Sequence, residues 1–502
     1  MSRLAQLERL AVAPRSVIED AGIEYGLAVQ DGARVLVALA GTGDALAALA
    51  ALEGSRTELD GATLLVGPSS AVNAAALRRL VAPLRPRPLG LRGSVGLGDR
   101  LGLATPGHVR ALRAADSGLA PIFAQQSVRE LERLGREAGE VMDDATWGVL
   151  AEGWHEPFGA DADHLKSTEH IDRFAPWGYT FFTIDPGDHV QDSAETAGPA
   201  DLEAAVRELP WERLGDTPRD LVSRLAGRPL ELEDRALAPT EEELLRAAAK
   251  YGYAVAHVAS LYAHLREHAP ESGFELEVSV DETATVTTHV EHVYIADALT
   301  RLGVEWVSLA PRYVGRFEKG IDYIGDLGSL RDDLAGHAAI AERMGPYKLS
   351  LHSGSDKFSA YPLAAEATGG RVHLKTSGTS YLEALRTVGE ADPDLLRRVY
   401  ALALERFEED RASYHLSVDV AGLPAAEDVS DAGVAALLDD DPVRQVLHVT
   451  FGSVLGHELG SELIARVRDE LSESYAEHLE HHIARHLRPF AKARVAREHA
   501  AA

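Results

Sequence analysis

A segment near residue 350 alternates polar and apolar side chains and then enters a loop of small residues. The alternation has the two-residue period of a β-strand with one polar face. The polar face carries Lys348, Ser350 and His352, and the opposite face carries Tyr347, Leu349 and Leu351. Residues 353–357 then bring Ser, Gly, Asp and Lys, so a histidine lies where regular structure ends. Parallel barrels place their chemistry at such strand ends.

Two further segments repeat this pattern. The polar face of the first segment carries Glu275, Glu277, Ser279 and Asp281. The polar face of the second segment carries Arg371, His373 and Lys375. A solvated strand also alternates, and for any single strand that explanation is at least as common as a functional one. The residue types favour function, because His, Lys, Glu and Asp recur and each segment runs directly into a loop of small residues.

Helical and strand patterns alternate from about residue 110 to about residue 420, which is typical of a parallel α/β fold. Strands are predicted near residues 120, 150, 180, 277, 306, 349, 372 and 415, whereas residues 157–166 are interpreted as a loop. Eight strands are the number that closes a (β/α)8 barrel. The sequence therefore predicts a TIM-like (β/α)8 barrel with an N-terminal α/β extension and a C-terminal helical segment.

We place the segment boundaries by changes in composition and periodicity. Residues 1–91 form the N-terminal α/β layer, residues 92–425 form the barrel, and residues 426–502 form a mostly helical extension. Residues 190 to about 240 are acidic, contain proline and lack a clear period, which indicates an insertion in the barrel.

Composition excludes several classes of function. The chain has 502 residues and no cysteine, so disulfides, thiolate nucleophiles and cysteine metal sites are absent. A net charge of −29 disfavours nucleic acid binding, which requires clustered Lys and Arg. No apolar run reaches 18 residues and no secretory segment is recognisable, so we expect no membrane span and a cytoplasmic location. The sequence is compatible with a homo-oligomer.

Three histidines are candidate metal ligands. His164, His352 and His373 lie at the ends of different segments, which a barrel would bring to one face. Imidazoles that converge with a carboxylate bind Zn²⁺, Mn²⁺ or similar divalent ions and leave positions open for substrate oxygens. The alternative is ordinary hydrogen-bonded histidine, since the chain has 21 histidines and no His-Glu-x-x-His motif.

Asp163 and Glu277 are the candidate acid/base pair, because they could move protons on opposite sides of a bound sugar. The alternatives are a loop cap for Asp163 and a buried salt bridge to a lysine for Glu277, with Asp281 and Glu282 as substitutes. Lysine is scarce in this chain, yet four lysines lie on the polar strands or in loops that could meet them, where they could bind an anionic small molecule. These are Lys166, Lys348, Lys357 and Lys375.

Six ordered strings between residues 92 and 390 together resemble the tagaturonate/fructuronate epimerase family. They are GDRLGLATPGH at 98–108, GADADHLK at 159–166, EVSVDET at 277–283, FEKGIDYIGD at 317–326, YKLSLHSGSDK at 347–357 and HLKTSGTSY at 373–381. The resemblance implies a divalent-metal-dependent barrel enzyme of hexuronate breakdown. It further implies that Asp163 accepts a proton, that Glu277 donates one, and that His164 and His352 bind the metal with His373 as third ligand.

The resemblance leaves the metal open among Zn, Mn, Co and Ni. It also leaves the substrate open, because the family is similar to enzymes that epimerise the neutral sugars fructose and tagatose. With a ketose uronate as substrate, its carboxylate requires a basic partner. The candidates are Lys166, Lys348, Lys357, Lys375 and Arg100.

The implied reaction carries a chemical constraint, since the inverted carbon lies β to the ketone and simple enolisation does not acidify its hydrogen. A retro-aldol route avoids this difficulty. A base removes the hydroxyl proton, the adjacent C–C bond breaks to an aldehyde and an enolate, and re-addition occurs on the other face. A divalent cation would act as a Lewis acid on the ketone oxygen.

Four other functions remain as alternatives. The same residues could serve a metal-dependent aldolase or a ketose isomerase, and a sugar-acid binding protein would bind without turnover. A dinucleotide-dependent oxidoreductase would use the Gly41-Thr42-Gly43 turn after an N-terminal strand. This turn lacks the third glycine of the dinucleotide-binding fingerprint and a following acidic ribose partner.

Overall fold

The computed structural model describes residues 2–7, 10–41, 43–59, 61–232, 236–270, 272–376, 378–414 and 416–501. The N-terminal part is a five-stranded sheet in the order β1-β2-β3-β5-β4. Its elements are β1 (Ile18–Asp20), β2 (Ile23–Gln30), β3 (Ala33–Ala40), α1 (Asp44–Leu49), β4 (Ser55–Leu59), β5 (Ala62–Pro68) and α2 (Ala71–Leu80). The predicted N-terminal α/β extension is therefore confirmed.

Every pairing within this sheet is antiparallel. A dinucleotide-binding βαβ unit requires parallel strands with a phosphate site at the first turn. The topology therefore removes the argument for the oxidoreductase alternative. Thr42 of the proposed Gly-Thr-Gly turn lies outside the described residues.

The first half of the barrel follows, with neighbouring strands paired in parallel. Its elements are β6 (Ser94–Gly96), α3 (Thr105–Ala115), β7 (Ala120–Ser127), α4 (Val128–Leu134), α5 (Ala138–Ala151), β8 (Gly159–Leu165), α6 (Thr168–Phe174) and β9 (Phe181–Ile184). Helix α3 begins at Thr105 with Pro106 in its first turn, where a missing N–H has no cost.

A long connection then joins β9 to the second half. It contains α7 (Pro199–Glu208), α8 (Trp211–Leu214), α9 (Pro218–Leu225), β10 (Leu230–Glu231), β11 (Ala236–Leu237) and α10 (Glu241–His268). Helix α10 starts with a capping box, because Thr240 Oγ1 accepts from Glu243 N at 3.2 Å and the Glu243 carboxylate accepts from Thr240 N at 2.8 Å.

The second half closes the barrel. Its elements are β12 (Glu275–Ser279), α11 (His289–Arg301), β13 (Ser308–Ala310), α12 (Leu327–Met344), β14 (Lys348–Leu351), α13 (Tyr361–Thr368), β15 (Val372–Lys375) and α14 (Thr379–Ala391). Strand β15 pairs in parallel with β6, so the eight strands β6–β9 and β12–β15 form a closed ring. The predicted TIM-like (β/α)8 barrel is confirmed.

Helices make up the C-terminal part, as predicted. They are α15 (Pro393–Asp410), α16 (Asp431–Val434), α17 (Asp441–Val449), α18 (Phe451–Leu455), α19 (Glu458–Asp469) and α20 (Ser472–Ala501). Helix α20 packs closely on α3, because a side chain at Gly107 would come within 2.5 Å of Leu479 Cβ. Within the described residues, no helix is both long and apolar enough to cross a membrane.

Two predicted barrel strands were wrong and two real ones were missed. The apolar run near residue 150 belongs to helix α5, since a short apolar run has the same composition in a buried helix and a buried strand. No strand is assigned among the described residues of 413–418, and His415 lies outside them. Strand β6 has three residues, and the interpreted loop at 157–166 contains strand β8.

Buried neutral histidines make the fold acid-sensitive. Burial lowers the pKa of His108 to about 4 and the pKa of His292 to about 3. The unfolded chain takes up these protons near pH 6.5, so the free energy of unfolding falls as pH decreases below 6.5. Each histidine contributes about 1.4 kcal/mol per pH unit until its folded-state pKa is reached. In urea titrations from pH 6.5 to 4.5, His108→Gln should reduce this slope by that amount, and an unchanged slope would contradict the assignment.

Candidate active site

Strand β8 carries three ionisable residues to the carboxyl end of the barrel. Asp161 and Asp163 are two residues apart and so point to the same face, into the barrel. His164 follows with a φ of 53°, a left-handed backbone conformation that is unusual for a non-glycine residue. Such conformations persist where the surrounding structure enforces them, often at functional sites.

Lys375, the last residue of β15, forms ion pairs with three carboxylates in the barrel interior. Its Nζ lies 2.5 Å from Asp163 Oδ1, 3.0 Å from Asp161 Oδ2 and 3.0 Å from Glu277 Oε1. It also donates to Thr183 Oγ1 at 2.6 Å. One ammonium is therefore shared by three buried carboxylates.

His352 follows strand β14 and is held between two carboxylates. Its Nε2 lies 2.7 Å from Glu277 Oε1, and its Nδ1 lies 3.1 Å from Asp281 Oδ1. Ser308 Oγ donates to the other Glu277 oxygen at 2.6 Å. A carboxylate that fixes one imidazole nitrogen is the usual arrangement behind a metal-binding histidine.

The charges in this cluster shift one another's pKa values. Burial disfavours the Asp163 carboxylate, but His164 and Lys375 outweigh it and hold the pKa of Asp163 below its usual range. Burial also disfavours a charged His164, yet Asp163 and Glu282 raise the pKa of its imidazole to about 10. Burial raises the pKa of Asp161 to about 7 despite Lys375. Asp163 is therefore a carboxylate at neutral pH, as a base must be.

Two adjoining cavities open at this end of the barrel. The smaller, of about 40 Å³, is lined by Asp163, His164, His352 and Lys375 among others. The larger, of about 390 Å³, has a size typical of small-molecule sites. Four residues line both cavities, namely Lys319, His352, Ser353 and Tyr414. The two cavities therefore meet beside His352.

Two groups of side chains at this mouth could hold a metal ion, each with its ligand atoms within 4.8 Å of one another. They are Asp163, His164 and His352, and His164, Asp185 and Glu282. Two imidazoles with surrounding carboxylates are a suitable donor set for a divalent transition metal. The carboxylates also favour positive charge at this position, as the raised pKa of His164 shows. The residues therefore fit a divalent cation.

Comparison with known proteins identifies the family of this chain. Residues 15–490 match the family model for UxaE, tagaturonate epimerase. A tagaturonate/fructuronate epimerase of Thermotoga maritima is 48% identical over 383 residues, which cover 76% of this chain and 77% of the relative. The chain belongs to the tagaturonate epimerase family. It is thus an enzyme of the epimerase class, and the resemblance noted in its sequence is confirmed.

Solved structures show the same family architecture. Native and glycerol-complexed crystal structures of the fructuronate-tagaturonate epimerase from Cohnella laeviribosi have a TM-score of 0.88 and 35% sequence identity to this chain. The alignments cover 97% of this chain and 98% of the crystallised chains. The likeness therefore extends over the N-terminal sheet and the C-terminal helices as well as the barrel.

The structure brings together five of the predicted site residues, and Arg100 also lines the smaller cavity. The five are Asp163, His164, Glu277, His352 and Lys375. Glu277 is fully buried and lines neither cavity. Glu277 instead contacts His352 and Lys375, and these two side chains line the cavities.

Two predicted residues lie deeper in the barrel. His373 Nδ1 is 2.9 Å from Ser94 Oγ, and its ring packs on Phe181. Lys348 Nζ donates to the same serine at 3.3 Å. Among the described residues, His373 is in no group of three His, Asp or Glu side chains that could share a metal ion. The geometry therefore does not bring His373 to the other two predicted ligands.

Two predicted substrate-binding lysines have protein partners instead. Lys357 Nζ donates to the backbone carbonyls of Glu318 at 2.7 Å and Ser355 at 2.9 Å, and also to that of Ile321. Lys166 Nζ pairs with Asp188 at 2.9 Å, outside both cavities. Lys357 thus stabilises the backbone of two loops, and Lys166 forms an ion pair with Asp188 outside the cavities.

Sequence reasoning missed Asp161 as a member of the cluster. The string Ala160-Asp161-Ala162-Asp163 alternates with the period of a strand, so a signal was present. It was obscured because acidic residues, histidine and lysine are depleted in ordinary strands. Lys319 was also missed as a lining residue, since its loop position has no periodicity to orient it. Ser377, within the last family string, lies outside the described residues.

Proposed function

We propose that this protein interconverts D-tagaturonate and D-fructuronate with the help of a divalent cation. The observation that supports it most is the cluster of Asp163, His164 and His352 beside a cavity of about 390 Å³. The curated relative at 48% identity carries the name of this reaction.

We assign His164 and His352 as the residues that would hold the cation. The Asp163 carboxylate lies in one group with both histidines and can complete the ligand set, whereas Glu282 lies in a second group with His164 and Asp185. A bound divalent cation would supply Lewis-acid polarisation of the substrate ketone. Glu277 would orient the His352 imidazole through the 2.7 Å contact at Nε2.

In this proposal Asp163 starts the retro-aldol step. Its carboxylate accepts the proton of the hydroxyl group on the carbon β to the ketone, and the bond between the α and β carbons then breaks to an aldehyde and an enolate. After the aldehyde group turns, the enolate attacks its other face and the new alkoxide regains a proton. Glu277, predicted as the donor, lines neither cavity, so its proton would have to pass through Lys375, whose Nζ lies 3.0 Å from Glu277 Oε1 and which lines the smaller cavity.

A proton NMR time course with tagaturonate tests the reaction. Fructuronate signals that appear without three-carbon fragments or an aldose support the proposal. Accumulating three-carbon fragments would indicate an aldolase, an aldose would indicate an isomerase, and ligand-dependent stabilisation without turnover would indicate a binding protein. Each of these three results would overturn the proposed function.

Removal of the cation gives a second measurement. We expect exhaustive chelation to abolish turnover and one of Zn²⁺, Mn²⁺, Co²⁺ or Ni²⁺ to restore it. Full activity after complete chelation would remove the metal from the mechanism.

His352→Ala tests the ligand assignment. We expect bound metal per subunit and turnover to fall about 100-fold or more, since even indirect partners of metal ligands contribute 10- to 100-fold. Metal content is measured by elemental analysis of the folded protein. His478→Ala serves as control, because His478 pairs with Glu390 on the outside of the barrel. Unchanged metal content in His352→Ala would contradict the assignment.

A further inference from the structure

The cationic side chains at the barrel mouth differ in whether they already have partners. Six of them line the two cavities, namely Arg100, Arg129, Arg312, Arg316, Lys319 and Lys375. Arg100 pairs with Glu130 at 2.7 Å and Arg129 pairs with Glu282 at 2.7 Å. Lys375 holds the three buried carboxylates of the barrel.

The two remaining arginines are also engaged. Arg312 Nη1 donates to the Asp281 carbonyl at 3.3 Å, and Arg316 lies 3.6 Å from the Glu318 carboxylate. Within the described part of the chain, the Lys319 ammonium has neither a hydrogen bond nor an ion pair within 4.0 Å. Among the described cations at this mouth, Lys319 is thus the one without a protein partner, and its charge is open to a ligand.

The position of Lys319 suits a ligand that reaches His352. Lys319 is half-buried and lines both cavities where they meet. A molecule that extends from the small cavity into the large one must therefore pass this side chain.

The backbone around Lys319 is held firmly. Lys357 Nζ donates to the carbonyls of Glu318 and Ile321, one on each side of Lys319 in the sequence. Arg444 Nε donates to the Gly320 carbonyl at 2.8 Å. Two buried cations thus fix the loop that presents Lys319. Lys357 is engaged by backbone carbonyls and Arg444 also pairs with Asp356 at 3.0 Å, whereas Lys319 lines the two cavities.

The Glu318 carboxylate adds a further anchor. It accepts from Ser417 N at 2.9 Å and from Gln445 Nε2 at 2.8 Å, which connects the loop to the C-terminal helices. A binding group on a backbone held in this way loses little freedom when a ligand arrives.

We propose that Lys319 binds the carboxylate of the substrate and thereby selects ketose uronates over neutral ketoses. This inference rests on the proposed function for the identity of the sugar. Asp281 and Glu282 line the same cavity and would repel an anion, so a uronate requires a nearby cation that has no partner. A neutral ketose has no such requirement.

Binding measurements on Lys319→Met and Lys319→Arg test the proposal. We expect Lys319→Met to weaken tagaturonate binding about 100-fold, which is the usual range for a charge-assisted hydrogen bond, and to leave D-tagatose binding within about twofold. Lys319→Arg should retain most of the tagaturonate affinity. Arg371→Met is the matched control for loss of one positive charge, because Arg371 precedes β15 at the opposite end of the barrel and pairs with Glu342.

The outcomes separate this inference from the proposed function. Calorimetric dissociation constants and NMR product analysis are collected on the same samples. Selective loss of tagaturonate binding without fructuronate formation by the unsubstituted enzyme would retain Lys319 as the carboxylate site and reject the epimerase reaction. Equal loss for both sugars, no loss for tagaturonate, or no tagaturonate binding by the unsubstituted enzyme would overturn the role of Lys319.

Discussion

Asp163→Asn is expected to lower kcat by about 10²- to 10⁴-fold, the usual contribution of a positioned base. The amide keeps the shape of the side chain but cannot accept the hydroxyl proton of the substrate. The fold should persist, because the asparagine Oδ1 can still accept from Lys375 Nζ. Its amide nitrogen can donate to Gln125 Oε1 once the Gln125 amide, which now donates to Asp163 Oδ2 at 3.1 Å, is flipped.

The same variant separates two roles of Asp163. If Asp163 is only the base, Asp163→Asn should bind metal normally and still bind substrate. If Asp163 is also the third ligand, metal content should fall as well, whereas Glu282→Gln should then keep its metal. Asp188→Asn is the control, because Asp188 is exposed and pairs with Lys166 outside the cavities. Near-normal turnover in Asp163→Asn would show that another group is the base.

Lys375→Met is expected to lower the free energy of unfolding by about 3–5 kcal/mol, because it removes the shared partner of buried carboxylates. Asp161, Asp163 and Glu277 all lie within 3.0 Å of its Nζ. Without the ammonium, these groups are stable only if some of them take up protons. The loss in stability should therefore be largest at high pH.

Activity provides an independent readout of the same substitution. The positive charge of Lys375 lowers the pKa of Asp163. Its loss should move the acid limb of the kcat/KM profile to higher pH, since Asp163 would hold its proton more tightly. Urea unfolding and pH–rate profiles measure the two effects, and Lys375→Arg, which keeps the charge, should shift the acid limb less. An unchanged stability and an unchanged acid limb would contradict the central role of Lys375.

Strand periodicity was the most reliable signal for the site. The alternation around His352, Glu277 and His373 correctly predicted strands whose polar faces point into the barrel. It predicted the direction of a side chain but not its depth along the barrel axis. His373 and His352 therefore looked equivalent, although His373 packs against Ser94 and Phe181 deep in the barrel.

The sequence predicted the correct number of barrel strands, eight, but two of the predicted positions were wrong. The strand predicted near residue 150 is part of helix α5, and the three-residue strand β6 has no counterpart among the predicted strands. Both errors arise because a buried helix and a buried strand have similar composition, and because three residues are too few to show a period. Pairing between β15 and β6 depends on residues about 280 positions apart, which no local pattern reveals.

The amino-acid sequence alone determined the alternating strands, the family strings and the choice of His, Asp, Glu and Lys as the reactive groups. Only the tertiary structure decided which cations are free to bind a ligand. Lys357 and Lys375 satisfy buried carbonyls and carboxylates, whereas Lys319 lines both cavities without an ion pair among the described residues. The reason is that a charge is neutralised by neighbours in space, and chain closure into a barrel selects those neighbours from distant parts of the sequence.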